Sequence, residues 1–325
     1  MKKYKIGFIG TGGIAIKMAN TINGMKNAEC YAVGSRNLEK AQSFAHEHGF
    51  SKAYGSYEEL ADDYDVDLIY IATPHSLHFD NAKMCILKGK PVLCEKSFTV
   101  NAKQAEELLA LAKEKGVFIT EAIWTRYMPF SKQIKDLVDS GIIGKPYLLT
   151  ANLGYDIKHV ERIISPELAG GALLDVGVYP LNFAAMVFGK EIEKTVSTCL
   201  KTNTGVDAHN NTTLYFSGER MAVLTSTMCA ATDRQGIISG DKGHIIVENI
   251  NNPQSAKVID KNYNVIAEYH APKQITGYEY QIQASIEALE NGWLESPYMP
   301  HEETIRIMKQ MDALREEWGI KYPFE

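Results

Sequence analysis

Gly10-Thr11-Gly12-Gly13-Ile14-Ala15 stands directly after the apolar run Lys5-Ile6-Gly7-Phe8-Ile9 and opens a helical pattern over 14–23. It fits G-x-G-x-x-G/A in the context that gives the pattern meaning, a buried strand, a tight turn and the start of a helix. Each small residue has a physical task. The first glycine allows the turn, the second lets the backbone approach a pyrophosphate, and Ala15 permits close helix–strand packing. The helix start supplies N–H groups without intrahelical partners, and its positive dipole end faces the anion. The stretch predicts a doubly wound α/β fold that holds a dinucleotide at Gly10, Thr11, Gly12, Gly13 and Ile14.

Working outward, apolar β-rich runs at 28–34, 53–54, 67–73, 91–95 and 117–121 alternate with helical patterns at 39–48, 57–61, 78–88 and 102–115. With the first strand this makes a six-strand α/β Rossmann domain with a mostly parallel sheet over 1–123. After Trp124 the pattern changes. A helix at 131–140, a strand at 146–154 and a Gly-rich helix start at Gly170-Gly171 precede strands at 193–201, 207–217, 221–229, 234–239, 244–248, 256–260 and 265–270. Strand after strand at hairpin spacing predicts a C-terminal α+β domain over 124–325 with a large, mostly antiparallel sheet, closed by helices at 278–291 and 300–317.

Composition narrows the function. The 325 residues carry 34 Lys+Arg against 40 Asp+Glu, a net charge of −6, with no basic run to track a nucleic-acid backbone. No stretch approaches ~18 uninterrupted apolar residues, so no membrane role is expected. Five cysteines, Cys30, Cys85, Cys94, Cys199 and Cys229, form no C-x-x-C pair, and a reducing cytoplasm is the simplest setting.

The end of the second strand bears on which dinucleotide binds. NAD sites usually place Asp or Glu there, roughly 20 residues past the glycines, against the ribose 2′-hydroxyl. Here the residues are Gly34-Ser35-Arg36, with Lys40 four positions on and on the same face if a helix starts near Asn37. A missing carboxylate removes repulsion for a 2′-phosphate, and arginine pairs with phosphate in a fork. NADP is therefore expected, with NAD the alternative. The competing reading is that Ser35 or Asn37 only caps a helix while Arg36 and Lys40 are solvated.

Two more segments put ionisable groups where open α/β sheets bind ligands: Glu95-Lys96 after a buried strand, and 170–179, where Asp175 and Tyr179 share a face if helical. The ordered set G-x-G-x-x-A, Thr73-Pro74 with His78 four residues after Pro74, Glu95-Lys96, and G-G-A-L-L-D-V-G-V-Y resembles the glucose-fructose oxidoreductase/inositol dehydrogenase (Gfo/Idh/MocA) family over essentially the whole chain. Glu121-Ala122-Ile123-Trp124-Thr125-Arg126 and Tyr179 are most similar to its branch containing dimeric dihydrodiol dehydrogenase and NADP-dependent D-xylose dehydrogenase.

The resemblance implies an NADP-dependent oxidoreductase for a sugar, polyol or trans-dihydrodiol. Tyr179 would be the acid/base, and Lys96 would favour its phenolate, since a free tyrosine titrates near ~10. Asp175 would hydrogen-bond the substrate or Tyr179. Thr73, Pro74, His78, Glu95 and Trp124 would line the cofactor, and Trp124, Arg126 and Arg162 would contact substrate. Two departures stand out: the family's E-K-P is Glu95-Lys96-Ser97, and its T-P-N is Thr73-Pro74-His75. No metal is expected, because the three-residue spacing of His75 and His78 argues against a ligand pair and hydride transfer by nicotinamide needs no Lewis acid. The same residues fit an enzyme that recycles a permanently bound NADP, or a non-catalytic NADP-sensing regulator. By resemblance the antiparallel sheet packs on another subunit, giving a homo-oligomer, most simply a dimer.

Overall fold

Short apolar strands alternating with capped helices build the first stretch of chain. The elements are β1 (Tyr4–Ile9), α1 (Gly13–Asn23), β2 (Ala28–Gly34), α2 (Leu38–His48), β3 (Lys52–Tyr54), α3 (Tyr57–Asp62), β4 (Leu68–Ile71), α4 (His78–Leu87), β5 (Val92–Glu95), α5 (Ala102–Lys115) and β6 (Ile119–Ala122). They come from a computed structural model, which describes residues 2–325. α2, α3 and α5 start where a short polar side chain satisfies a free N–H: Asn37, Ser56 and Asn101 accept from Lys40, Glu59 and Gln104. α2 and α5 stop at Gly49 and Gly116, both left-handed.

The strands form one parallel sheet in the order β3-β2-β1-β4-β5-β6. Helices cover both faces of such a sheet, so its central strands must be apolar throughout. Accordingly Ile6, Phe8, Ile9, Leu68, Ile69, Tyr70 and Ile71 are all fully buried. Phe8 packs edge-on against Phe50 and Tyr70 at 4.9 and 5.0 Å. Burying each such side chain stabilises the fold by roughly 1.5–3 kcal/mol. The strand order reverses between β1 and β4, and the crevice at their carboxyl ends is where sheets of this topology bind ligands.

The chain continues through α6 (Pro129–Asp139), β7 (Pro146–Gly154), α7 (Glu161–Ile164), α8 (Val178–Phe188), β8 (Ile192–Lys201), β9 (Asp207–Phe216), β10 (Arg220–Thr227), β11 (Gly236–Gly240), β12 (Gly243–Val247), β13 (Ser255–Asp260), β14 (Val265–His270), α9 (Glu279–Asn291) and α10 (His301–Glu317). The eight strands order as β14-β13-β12-β11-β7-β10-β9-β8. Every pairing is antiparallel except β7 with β10, which is parallel at the middle of the sheet. β7 therefore enters between two later hairpins instead of pairing with its sequence neighbour. One sheet face is buried through Leu149, Leu153, Leu214, Leu224, Ile238 and Ile245, and α8 packs on β7 and β10. The segment Pro166–Phe188 is long and apolar enough to cross a membrane, yet 89% of its apolar 18-residue window is buried, as befits a core helix.

The chain divides into two compact units, and both are discontinuous. One comprises residues up to Tyr127 with Gln274–Lys309; the other comprises Met128–Lys273 with Gln310–Glu325. A single boundary at 123/124 thus misses the returning segment. Its cause is packing: Ile282, Ile286 and Ala288 of α9 share the core of Phe8 and Tyr70. Thr276 also meets Thr21 at 2.7 Å, and Tyr4 donates to Glu290 at 3.2 Å.

Candidate active site

In the first unit, the turn after β1 is made by Gly10 at φ +105°, where a Cβ would stand 2.8 Å from the Ala72 carbonyl oxygen. Its N–H donates to the Gly34 carbonyl at 3.2 Å, tying the ends of β1 and β2. Gly12 is the N-cap of α1, no side chain caps it, and the first turn holds no acidic residue. A Cβ on Gly12 or Gly13 would meet no protein atom within 4 Å, while Ala15 behind them is fully buried. An uncapped helix start, open outward and closely packed inward, suits a pyrophosphate.

Ser35 is buried at the end of β2, and Arg36 and Lys40 are exposed. The helical-face argument for Arg36 and Lys40 fails in detail, because α2 begins at Leu38 behind the Asn37 cap and Arg36 precedes that cap. The two cations still flank one helix start. Burial pushes the Tyr57 phenol up, and the nearby Arg36 guanidinium partly offsets this.

After β4, Thr73 and Pro74 are half-buried, and His78 is fully buried. His78 does not cap α4, since Leu77 occupies that position. Its Nε2 lies 2.8 Å from the Thr73 carbonyl and its Nδ1 2.9 Å from the Ser97 carbonyl; the neutral ring donates to one of them and packs against the other, wedged between two strand-end loops. Burial pushes its pKa down to about 4. With both nitrogens turned to carbonyls the ring offers no lone pair outward, and His75 meets it only edge-on at 5.7 Å.

The β5 end is equally held. Buried Glu95 accepts from the Tyr70 hydroxyl at 2.5 Å and, through its other oxygen, from the Lys96 N–H at 3.3 Å. Ser97 makes the turn where the family motif has proline. Lys96 is half-buried on this loop. The next N–H along, Phe98, donates at 3.2 Å to Glu121 at the end of β6. Glu121 is fully buried, its Oε2 has no hydrogen-bond partner among the described residues, and burial pushes its pKa up to about 7. Reading the sequence missed this role. The available signal was a carboxylate within a short strand that follows an apolar run.

Trp124 stacks on Tyr278 with ring centroids 4.0 Å apart, so one face of the indole is taken within this unit. Arg126 forms a buried ion pair with Glu303, which Arg306 also binds through two hydrogen bonds of 2.7 and 2.8 Å. Despite desolvation, the two arginines hold Glu303 below its usual range. The structure thus places Arg126 in a structural pair whose partner is remote in sequence.

In the second unit, Gly170 and Gly171 are required by close approach: a Cβ would stand 2.5 Å from the Ile163 carbonyl in the first case and 2.3 Å from Asp207 Oδ1 in the second. A π-helical turn, Leu173–Gly177, then runs directly into α8. π-turns inside helices are frequent at functional sites. Asp175 lies on this turn and Tyr179 one turn further, both buried. The structure brings Asp175 and Arg162 together, with Arg162 Nη1 donating to Asp175 Oδ1 at 2.7 Å. Arg162 remains 46% exposed, so the pair has a solvent-facing cation and a buried anion.

Comparison with known proteins follows this anatomy. The family model described as "Oxidoreductase family, NAD-binding Rossmann fold" matches residues 4–122, and that of the "GFO/IDH/MocA C-terminal domain" matches 131–246. The trans-1,2-dihydrobenzene-1,2-diol dehydrogenase of Xenopus tropicalis is 37% identical over 298 residues, covering 90% of each chain. The Homo sapiens protein of the same name is 33% identical, covering 90% of this chain and 89% of its own. A crystal structure of a 3-ketoreductase from Actinomadura kijaniata with NADP and TDP-benzene superposes with a TM-score of 0.89 at 25% identity, covering 97% of this chain and 98% of that one.

Proposed function

Because the chain belongs to the Gfo/Idh/MocA oxidoreductase family, we propose that it is an NADP-dependent dehydrogenase acting on a secondary hydroxyl of a trans-dihydrodiol, sugar or polyol. The observation that carries this reading is the carboxyl edge of the parallel sheet, where the uncapped start of α1, the carboxylate-free end of β2 and the Lys96 loop converge. Gly10, Thr11, Gly12, Gly13 and Ile14 would hold the pyrophosphate, and Ser35, Arg36 and Lys40 the 2′-phosphate. Thr73, Pro74, His78 and Glu95 would shape the rest of the cradle, with His78 acting by fixing the two loops.

Bound NADP supplies the hydride acceptor. Tyr179 takes the hydroxyl proton as the carbon–hydrogen bond breaks, and Lys96 favours the phenolate needed for that task. Asp175, anchored by Arg162, orients the alcohol or the tyrosine hydroxyl. In the reverse direction the same tyrosine donates the proton to a carbonyl oxygen. The names of the curated relatives favour a trans-dihydrodiol over a sugar.

A homodimer through the open face of the eight-stranded sheet completes the reading. Val196, Leu200 and Tyr215 stand 44, 69 and 37% exposed there, on the face opposite the buried Leu214 and Leu224. Five free cysteines, three of them buried, fit a cytoplasmic setting.

The test is a panel of trans-dihydrodiols, aldoses and polyols offered with NADP or NAD in parallel. The reading expects NADPH to accumulate with at least one alcohol alone. Substrate turnover without net NADPH from a single alcohol would favour the recycling enzyme, and cofactor binding without turnover the regulator.

A further inference from the structure

The helix that carries Asp175 and Tyr179 is gripped at its start by a residue far away in sequence. Asp207, the first residue of β9, is fully buried and accepts the Leu173 N–H at 2.7 Å and the Asn210 side-chain amide at 2.8 Å. Asn210 in turn accepts the Ser226 hydroxyl at 2.8 Å, so one chain of hydrogen bonds runs from β10 through β9 to the helix. The other Asp207 oxygen fills the space a Gly171 side chain would need. From the C-terminal segment, the Tyr322 hydroxyl donates to the Gly170 carbonyl at 2.7 Å, holding the same turn from a second side.

We propose that Asp207 is a positioning residue for the proposed reaction: by receiving the Leu173 N–H it sets the height and rotation of the turn bearing Asp175 and Tyr179, and so controls kcat without touching substrate. This rests on Tyr179 being the proton-transfer group. Two features separate Asp207 from an ordinary cap. Its carboxylate sits at a helix N-terminus, where a negative charge is favoured over a neutral acceptor. And the turn it anchors is the π-turn on which Asp175 itself lies, two residues from Leu173.

The groups around it define its titration. Arg315 on α10 favours the charged form, and Tyr322 of the C-terminal segment and Cys199 of β8 lie within electrostatic reach; Lys201, in register with Asp207 on β8, instead donates to the Gly319 carbonyl. Burial outweighs these and pushes the Asp207 carboxyl up to about 6. Protonation below that value weakens the grip on Leu173, since a neutral acceptor makes the weaker bond.

The test uses Asp207→Asn in the full-length enzyme. Leu173 and Asn210 donate to the same Asp207 oxygen, so asparagine can keep one oxygen for both, with its amide nitrogen in the place of the other oxygen, and the fold survives while the charge is lost. The expected result is a fall in kcat of about tenfold, with KM for alcohol and Kd for NADP each changed less than about twofold. In the parent, kcat should fall on the acid side near pH 6, where burial places the Asp207 carboxyl, and this acidic limb should flatten in the variant. Unchanged kcat with an unchanged acidic limb overturns the proposal.

Hydrogen exchange supplies a readout free of substitution. In the parent enzyme, protection of the Leu173 amide, corrected for intrinsic rates, falls as pH drops through about 6; protection that ignores pH overturns the grip. Tyr179→Phe separates the two layers. If it retains activity, the proton-transfer reading fails while the exchange result still reports on Asp207. If it abolishes activity and Asp207→Asn changes nothing, the positioning inference alone fails.

Discussion

Replacing Arg36 by alanine separates a 2′-phosphate site from a general cofactor surface. Arg36 lies two residues past β2, is exposed, and sits near the Tyr57 phenol. An exposed ion pair contributes only ~0–1 kcal/mol, whereas a hydrogen bond to a charged group contributes ~1.5–3 kcal/mol. A planar fork on a phosphate, charge-assisted but open to solvent, falls between these limits at about 2 kcal/mol. That converts to an affinity loss of about 30-fold. NAD lacks the phosphate and should lose less than about twofold. Fluorescence titration of both cofactors against parent and variant measures the two numbers. Salt gives an internal control, because screening shortens from ~8 Å at 0.15 M to ~3 Å at 1 M, so NADP affinity should decline with salt more steeply in the parent. Equal weakening of NADP and NAD, or a parent that prefers NAD, would refute the argument that β2 selects the phosphate.

Further outcomes follow from single contacts. Gly10→Ala forces a side chain into φ +105° and against the Ala72 carbonyl, and should destabilise the first unit by about 2 kcal/mol while weakening NADP binding; denaturant melts with and without NADP read both. Glu121→Gln replaces a buried carboxyl whose folded pKa of about 7 lies above its unfolded value near 4.5. The parent therefore loses stability as pH rises between these values, and the variant should melt higher than the parent at pH 8 and about equally at pH 4.5; a parent-like melt at pH 8 contradicts this. His78 has the opposite sign: its folded pKa near 4 lies below the unfolded 6.5, so the unfolded chain binds more protons in that window and stability falls as pH drops from 6.5 towards 4. His78→Gln should flatten that part of the melting profile. Lys96→Met should shift the basic dependence of kcat upward and lower kcat at neutral pH by about a hundredfold, in line with loss of a charge partner.

Local signals made most of the fold readable. Parallel strands buried on both faces read as apolar runs, and Asn37, Ser56 and Asn101 mark helix starts by chemistry that acts within three residues. What stayed hidden is non-local. The return of Gln274–Lys309 to the first unit depends on α9 fitting the core under Phe8, which no short window reports. The parallel β7–β10 pair joins strands more than sixty residues apart, as Leu148 opposite Met221 shows. Among the proposed site residues, the Gly-rich turn, Arg36 and the Asp175–Tyr179 segment stand out in the sequence because their spacing suits the chemistry assigned to them. Arg126 reads as a substrate contact until Glu303 is seen beside it, and Asp207 reads as a strand residue until it meets Leu173.

The account turns on hydride leaving a carbon of the alcohol for NADP while Tyr179 takes the proton. A trans-dihydrodiol or sugar alcohol that the enzyme oxidises, deuterated at the reacting carbon, tests this directly when the NADPH formed is analysed by NMR at nicotinamide C4. The account predicts one deuterium on a single face of that carbon, a slowed rate with the labelled substrate, and loss of both product and label in Tyr179→Phe. Oxidised product with no deuterium in the cofactor, or undiminished transfer in Tyr179→Phe, would contradict it.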